Sequence, residues 1–211
     1  APYFVIGAVH SGVAGVITVL ILLRWLFRWD DFIRREHIDA LGRLLFVVAN
    51  AWLFFFALEF MFGLYHQEGT EVVVRDMWLF QTPWNVIFLV FIFTGYIIPV
   101  PMWLFRRVRR SFPLMLFTTI LVNIGMWLER FLLIIPSMGR KHSFTFVWGD
   151  FAPSAIELMI VTATFALVFM LMLLFAKVFP LIPIFDIKEG NVLRDEIKIG
   201  RRTVQAVIRE E

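Results

Sequence analysis

The residues able to do chemistry are few and sit in unusual company: His10, Glu59, Glu129 and Glu157, with Arg130 and the amide Asn123, all within long apolar stretches. A charge inside hydrocarbon costs several kcal/mol unless it meets protein, water or a partner. His10 lies six residues after Phe4, Glu59 six before Tyr65, Glu129 seven before Pro136, and Glu157 two after Ala155. At the helical rise, these ionisable groups all lie within about 10 Å of one membrane boundary. Asn123 falls near the middle of its stretch, and the other half offers neutral groups: Thr18, Asn50, Thr94, Thr118 and Thr119.

Two readings fit that layout. Carboxylates and an imidazole can take turns holding a proton, with hydroxyls, amides and water supplying it from the far side. Alternatively, Arg130 pairs with Glu59 or Glu129 and clamps helices together. Periodicity puts Asn123 and Arg130 on one face, turns Glu129 by about 100° toward another neighbour, and separates Asn50 from Glu59. Of His10, His37, His66 and His142, only His10 falls within a span, so no bis-histidine haem is expected in this chain. No pair of residues has a zinc-ligand spacing, and no residue is assigned a catalytic role.

The elements that must position these groups are membrane helices. The sequence is 60% hydrophobic and 17% aromatic, with a mean hydropathy of +0.81, outside the range of soluble domains. It has no cysteine, which excludes disulfides, thiolate metal sites, iron–sulfur clusters and c-type haem within the chain. The net charge of +3 follows topology rather than nucleic-acid binding. Five spans are expected, at Phe4–Phe27, Leu44–Tyr65, Trp84–Phe105, Met115–Pro136 and Ala155–Phe179. Arginines concentrate in residues 24–43 and at Arg106, Arg107, Arg109 and Arg110, and six more Lys or Arg follow Lys177. By the positive-inside rule, the amino terminus is outside and the carboxyl terminus cytoplasmic. The expected fold is therefore an all-α, polytopic transmembrane helix bundle over 1–185 with a cytoplasmic tail over 186–211.

Local signals refine this. Gly7, Ser11 and Gly15 form a small-residue stripe that lets another helix approach. Pro99 and Pro101 are expected to kink or end the third span. The connection Ser137–Ser154 carries Phe144, Phe146, Trp148 and Phe151, either an interface belt or a docking surface. Glu196-Ile-Lys-Ile reads as a short strand in a tail that docks on a cytoplasmic partner or stays mobile. Leu58-Glu59-Phe60 faintly echoes Leu128-Glu129-Arg130, which leaves half of a secondary transporter as a further reading. The first residue is Ala1, with no signal-peptide pattern, so the chain is read as processed or as part of a longer one.

Asn123-Ile-Gly-Met-Trp-Leu-Glu-Arg-Phe, the opening Pro2-Tyr3-Phe4-Val5-Ile6-Gly7-Ala8 with Ser11-Gly12, and Leu58-Glu59-Phe60 together resemble NrfD/polysulfide-reductase-type membrane subunits. Within these, the likeness is nearest to the carboxyl-terminal half of the ActC-type subunit of alternative complex III. The resemblance implies a bacterial inner-membrane, multi-pass subunit of a quinol:electron-acceptor oxidoreductase, a non-catalytic part of a respiratory or photosynthetic electron-transfer complex. Its partners would be a multihaem cytochrome c, an iron–sulfur protein and a second NrfD-like subunit. Haem c and iron–sulfur clusters would sit in those partners, and menaquinol or another quinol would be the substrate of the whole. Family carboxylates of this bundle are proposed to conduct protons. The family's quinol-binding His and Asp belong to a bundle this chain lacks, so no quinol site is carried over. A scaffold that only anchors the extramembrane redox subunits is the competing expectation.

Overall fold

The computed structural model describes residues 2–30, 32–66, 69–138, 153–179, 196–199 and 202–205. The chain divides into two compact units, Ala1–Phe151 and Ala152–Glu211. The first unit holds α1 (Pro2–Phe27), α2 (Arg35–His66), α3 (Gly69–Phe80), α4 (Trp84–Ile92), a π turn (Phe93–Ile97), α5 (Pro99–Leu104), α6 (Arg106–Arg109) and α7 (Phe112–Met138). The second holds α8 (Ala155–Val178) and an antiparallel hairpin of β1 (Glu196–Ile199) and β2 (Arg202–Gln205). The expected short strand at Glu196 is therefore one arm of a hairpin, with Glu196 opposite Gln205. The expected boundary at 185 and the aromatic residues Phe144, Phe146, Trp148 and Phe151 lie outside the described residues.

Among the described residues, five helical stretches are long and apolar enough to cross a membrane: α1, α2, the run Trp84–Leu104, α7 through Pro136, and α8. The all-α, five-span architecture read from the sequence is thus present. Helix α1 begins with Pro2, whose missing N–H is no loss at a helix start. It ends with Arg28 at φ 53°, a left-handed turn that brings Trp29 N to Arg24 O at 3.1 Å. Its buried positions, Tyr3, Gly7, His10, Ala14, Ile17 and Ile21, repeat at three and four residues. That is the seam of a coiled-coil-like contact, made here with α2 and α7.

Helix α7 lies against α1, α2, α4 and the π turn. Lipid tails are as apolar as leucine, so its packing depends on close backbone approach and interhelical hydrogen bonds. Gly7 and Gly15 supply the first on the α1 side. A Cβ at Gly7 would collide with the Arg130 guanidinium, and one at Gly15 would lie 3.9 Å from Asn123 Oδ1. The small-residue stripe and the shared face of Asn123 and Arg130 are one interface. Thr18 Oγ1 donates to Thr119 Oγ1 at 2.9 Å along the same seam.

One expectation is met and another needs correction. The third span runs to Leu104, one residue short of the expected Phe105, and is irregular at its prolines rather than ended by them. Pro99 and Pro101 have no N–H to give, and the helix absorbs them with a π turn, in which Ile98 N reaches Phe93 O at 3.0 Å. It then runs on to Leu104 and breaks at Phe105. The second span starts at Arg35 rather than Leu44, so it has 32 residues and about 48 Å of length. Asp39, assigned to a loop by hydropathy, is consequently a helical residue only 3% exposed. The end of the bundle opposite Glu129 is not purely neutral. Arg43 Nη2 and Arg109 Nε donate to the two Asp39 oxygens at 2.7 and 2.9 Å, and Arg109 also donates to the carbonyls of Trp103 and Leu104 that end α5.

Candidate functional site

Glu129 sits on the buried face of α7, where Met126 and Leu132 continue the stripe, and is 2% exposed. Its Oε1 accepts from the Tyr3 hydroxyl of α1 and from Trp52 Nε1 of α2, the latter at 3.2 Å. One carboxylate oxygen thus ties three helices together. Oε2 has no hydrogen bond among the described residues. Arg130, its sequence neighbour, approaches Oε2 only to 3.8 Å, too far for a hydrogen bond. The Arg130 guanidinium instead stacks 4.7 Å over the Phe4 ring, with Nη1 buried and unpartnered.

Glu129 lines a cavity of about 680 Å³ that it shares with Tyr3, Glu59, His66, Glu71 and Arg75. Aromatic side chains, among them Phe56, Trp78 and Phe91, form much of the remaining wall. Glu59, His66 and Glu71 are exposed, whereas Glu129 is buried, so the titratable groups run from a wet mouth to a dry foot. Arg75 Nη1 donates to Gly63 O at 3.1 Å, which fastens α3 to the end of α2 as one rim. Glu129 Oε2 and Trp78 Nε1 are buried without partners, and buried polar atoms beside a roomy cavity are places for ordered water.

The sequence candidates separate accordingly. Glu59 and Glu129 share the cavity, and Arg130 lies beside Glu129. His10 is fully buried with both ring nitrogens unpartnered, and its ring centroid is 5.8 Å from that of Trp52. The Trp52 side chain thus hydrogen-bonds Glu129 and packs on His10. Asn123 is half-buried further along α7 and donates to Thr119 O at 2.9 Å. Glu157 belongs to the second unit, where it accepts from Ser154 N at 2.7 Å and completes a capping box at the start of α8.

Sequence reasoning missed Tyr3, Trp52, His66, Glu71 and Arg75. A signal for two of them was present: Tyr3 is seven residues before His10, and Trp52 seven before Glu59, each on the same helix face. His66, Glu71 and Arg75 fall in a polar connection whose helix, α3, carries no membrane-length signal. Among the described residues, no group of three His, Asp or Glu could hold a metal ion.

No curated protein sequence matches the chain. The family model described as polysulphide reductase, NrfD matches residues 1–140, which cover α1 through α7 and hence the whole cavity. The chain belongs to the NrfD polysulphide reductase family of integral membrane subunits.

Proposed function

We propose that this chain is the proton-handling membrane part of a quinol:electron-acceptor oxidoreductase of the alternative complex III type, with Glu129 as the inner proton carrier. The observation that carries the reading is the single cavity joining a buried carboxylate, Glu129, to the exposed groups Glu59, His66 and Glu71. A proton on Glu129 passes to water in the cavity and then to a mouth carboxylate, without any charge crossing apolar wall unaided. His10 and the amide Asn123 lie on the inward side of Glu129, where a feed from the rest of the bundle would arrive. Arg130 remains beside the carboxylate as a fixed positive charge.

Orientation follows from charge. The arginine-rich end of α1, the start of α2 and the arginines of α6 all border Phe112 at the start of α7, opposite the cavity, and the positive-inside rule assigns that end to the cytoplasm. The cavity mouth then opens on the outer side of a bacterial inner membrane, and the route is an exit. Quinol oxidation, the haem c groups and the iron–sulfur clusters belong to partner subunits in this reading.

The scaffold reading is favoured by one feature, the three-helix tie through Glu129 Oε1. The two part in Glu129→Gln and Glu59→Gln, measured in the assembled complex as protons released per electron. A fall in that ratio with assembly intact supports the exit. An unchanged ratio in both variants leaves Glu129 as a clamp.

A further inference from the structure

At the end opposite the cavity, Arg35 at the start of α2, Arg106 and Arg107 of α6, and Arg110 all line one cavity of about 650 Å³. Among the described residues, no carboxylate lines it. The ion pairs of this region lie elsewhere among the described residues: Asp39 takes Arg43 and Arg109, and Asp30 takes Arg24. Glu36 is exposed and makes no ion pair among the described residues. Among the described residues, four guanidinium groups therefore share one space without a counter-charge, and Arg110 Nε is buried with no acceptor. Arg35, Arg106 and Arg107 are exposed and Arg110 is half-buried, so water screens part of their mutual repulsion and an anion between them would relieve the rest.

The backbone adds to the same field. Ser111, Phe112 and Pro113, at the entry to the 27-residue α7, complete the lining. The positive end of that helix faces the space, as at anion sites generally. From the four arginines and the helix end, we infer that the cavity is a binding site for a phosphate-bearing anion. Arginine forks match phosphate oxygens in pairs, and four of them suit a group with several equivalent oxygens.

The neighbouring surface indicates the source. A second cavity, of about 600 Å³, also touches Phe112 and is lined by the apolar Ile21, Leu22, Trp25 and Leu116 together with Arg24, Arg28 and Asp30, of which Asp30 is ion-paired to Arg24. Trp25 is 80% exposed, as a tryptophan at a headgroup boundary should be. A phosphate held by Arg35, Arg106, Arg107 and Arg110 would have an apolar channel for acyl chains beside it. An anionic phospholipid would use both cavities, its phosphate in the first and its acyl chains along the apolar wall of the second, whereas free phosphate would leave that apolar wall unused.

The test uses the full chain in maltoside micelles, with thermal melting followed against phosphatidylglycerol, phosphatidylcholine and inorganic phosphate separately. Phosphatidylglycerol is expected to raise the melting midpoint saturably and to remain bound through gel filtration. Each arginine near an anionic headgroup contributes about a factor of five in affinity, so Arg106→Gln with Arg110→Gln should weaken the effect about 25-fold. Arg106→Lys with Arg110→Lys should keep most of it, and Lys177→Gln should keep all. Protection by phosphatidylglycerol alone assigns the site to lipid; equal protection by inorganic phosphate assigns it to a soluble anion. Equal protection by phosphatidylcholine, undiminished phosphatidylglycerol binding in the double glutamine variant, or no protection by either anion overturns the site.

Discussion

Gly125→Ala is the substitution that most sharply tests how α7 is held. A Cβ there would lie 2.6 Å from Gly95 N, 2.7 Å from Gly95 Cα and 2.8 Å from Thr94 Oγ1. Ordinary contact begins at 3.4 Å, so α7 and the π turn would have to separate by about 0.8 Å. The nearest atoms are backbone and cannot swing aside as a side chain could. Overpacking of this kind costs about 1–3 kcal/mol, and the rigid contact puts Gly125→Ala near the upper end. For a chain of this size that corresponds to a fall of about 6–12 °C in melting midpoint. Gly12→Ala is the internal control. Nothing lies within 4 Å of its added methyl, so it should stabilise α1 by about 0.5–1 kcal/mol. Melting in maltoside micelles by circular dichroism compares the two directly. Equal midpoints for Gly125→Ala and the parent would refute the close α7–π-turn contact. Because Glu129 lies one turn beyond Gly125, the same shift should also loosen its bonds to Tyr3 and Trp52.

Three further outcomes follow from named contacts. Arg109→Ala leaves the buried Asp39 with only its exposed partner Arg43 and opens the end of α5, so it should cost about 2–3 kcal/mol against about 0.5 for Arg43→Ala in the same melting assay. Tyr3→Phe removes one donor to Glu129 while Trp52 keeps the other, so stability should fall by about 1–2 kcal/mol with protons released per electron retained. Ser154→Ala breaks the capping box and should raise hydrogen exchange at Glu157 and Leu158 by about 1 kcal/mol of lost protection, without touching proton release.

The spans were legible because a membrane imposes a length, and apolar runs of that length are hard to mistake. Interfaces were legible where small residues recur, as at Gly7 and Gly15. Depth counting placed Glu59 and Glu129 at one level, which they share as lining of a single cavity. Hydropathy failed at Asp39, since a window that scores carboxylates as loop cannot know that two arginines meet one. It also failed at α3, whose twelve residues are too polar for a span yet supply Glu71 and Arg75 to the cavity rim. The donors to Glu129 escaped notice because Tyr3 and Trp52 lie in two other apolar segments, and neither segment shows by itself which neighbour it meets. Their role as donors appears only when α1, α2 and α7 are brought together.

The central claim is that Glu129 gives up and regains a proton during turnover. Infrared difference spectroscopy of the assembled complex, recorded between oxidised and reduced states, observes this directly through the carboxyl C=O stretch. A band that shifts in heavy water and disappears in Glu129→Gln, while surviving in Glu157→Gln, is the predicted result. A difference spectrum unchanged by Glu129→Gln in an assembled, active complex would contradict it.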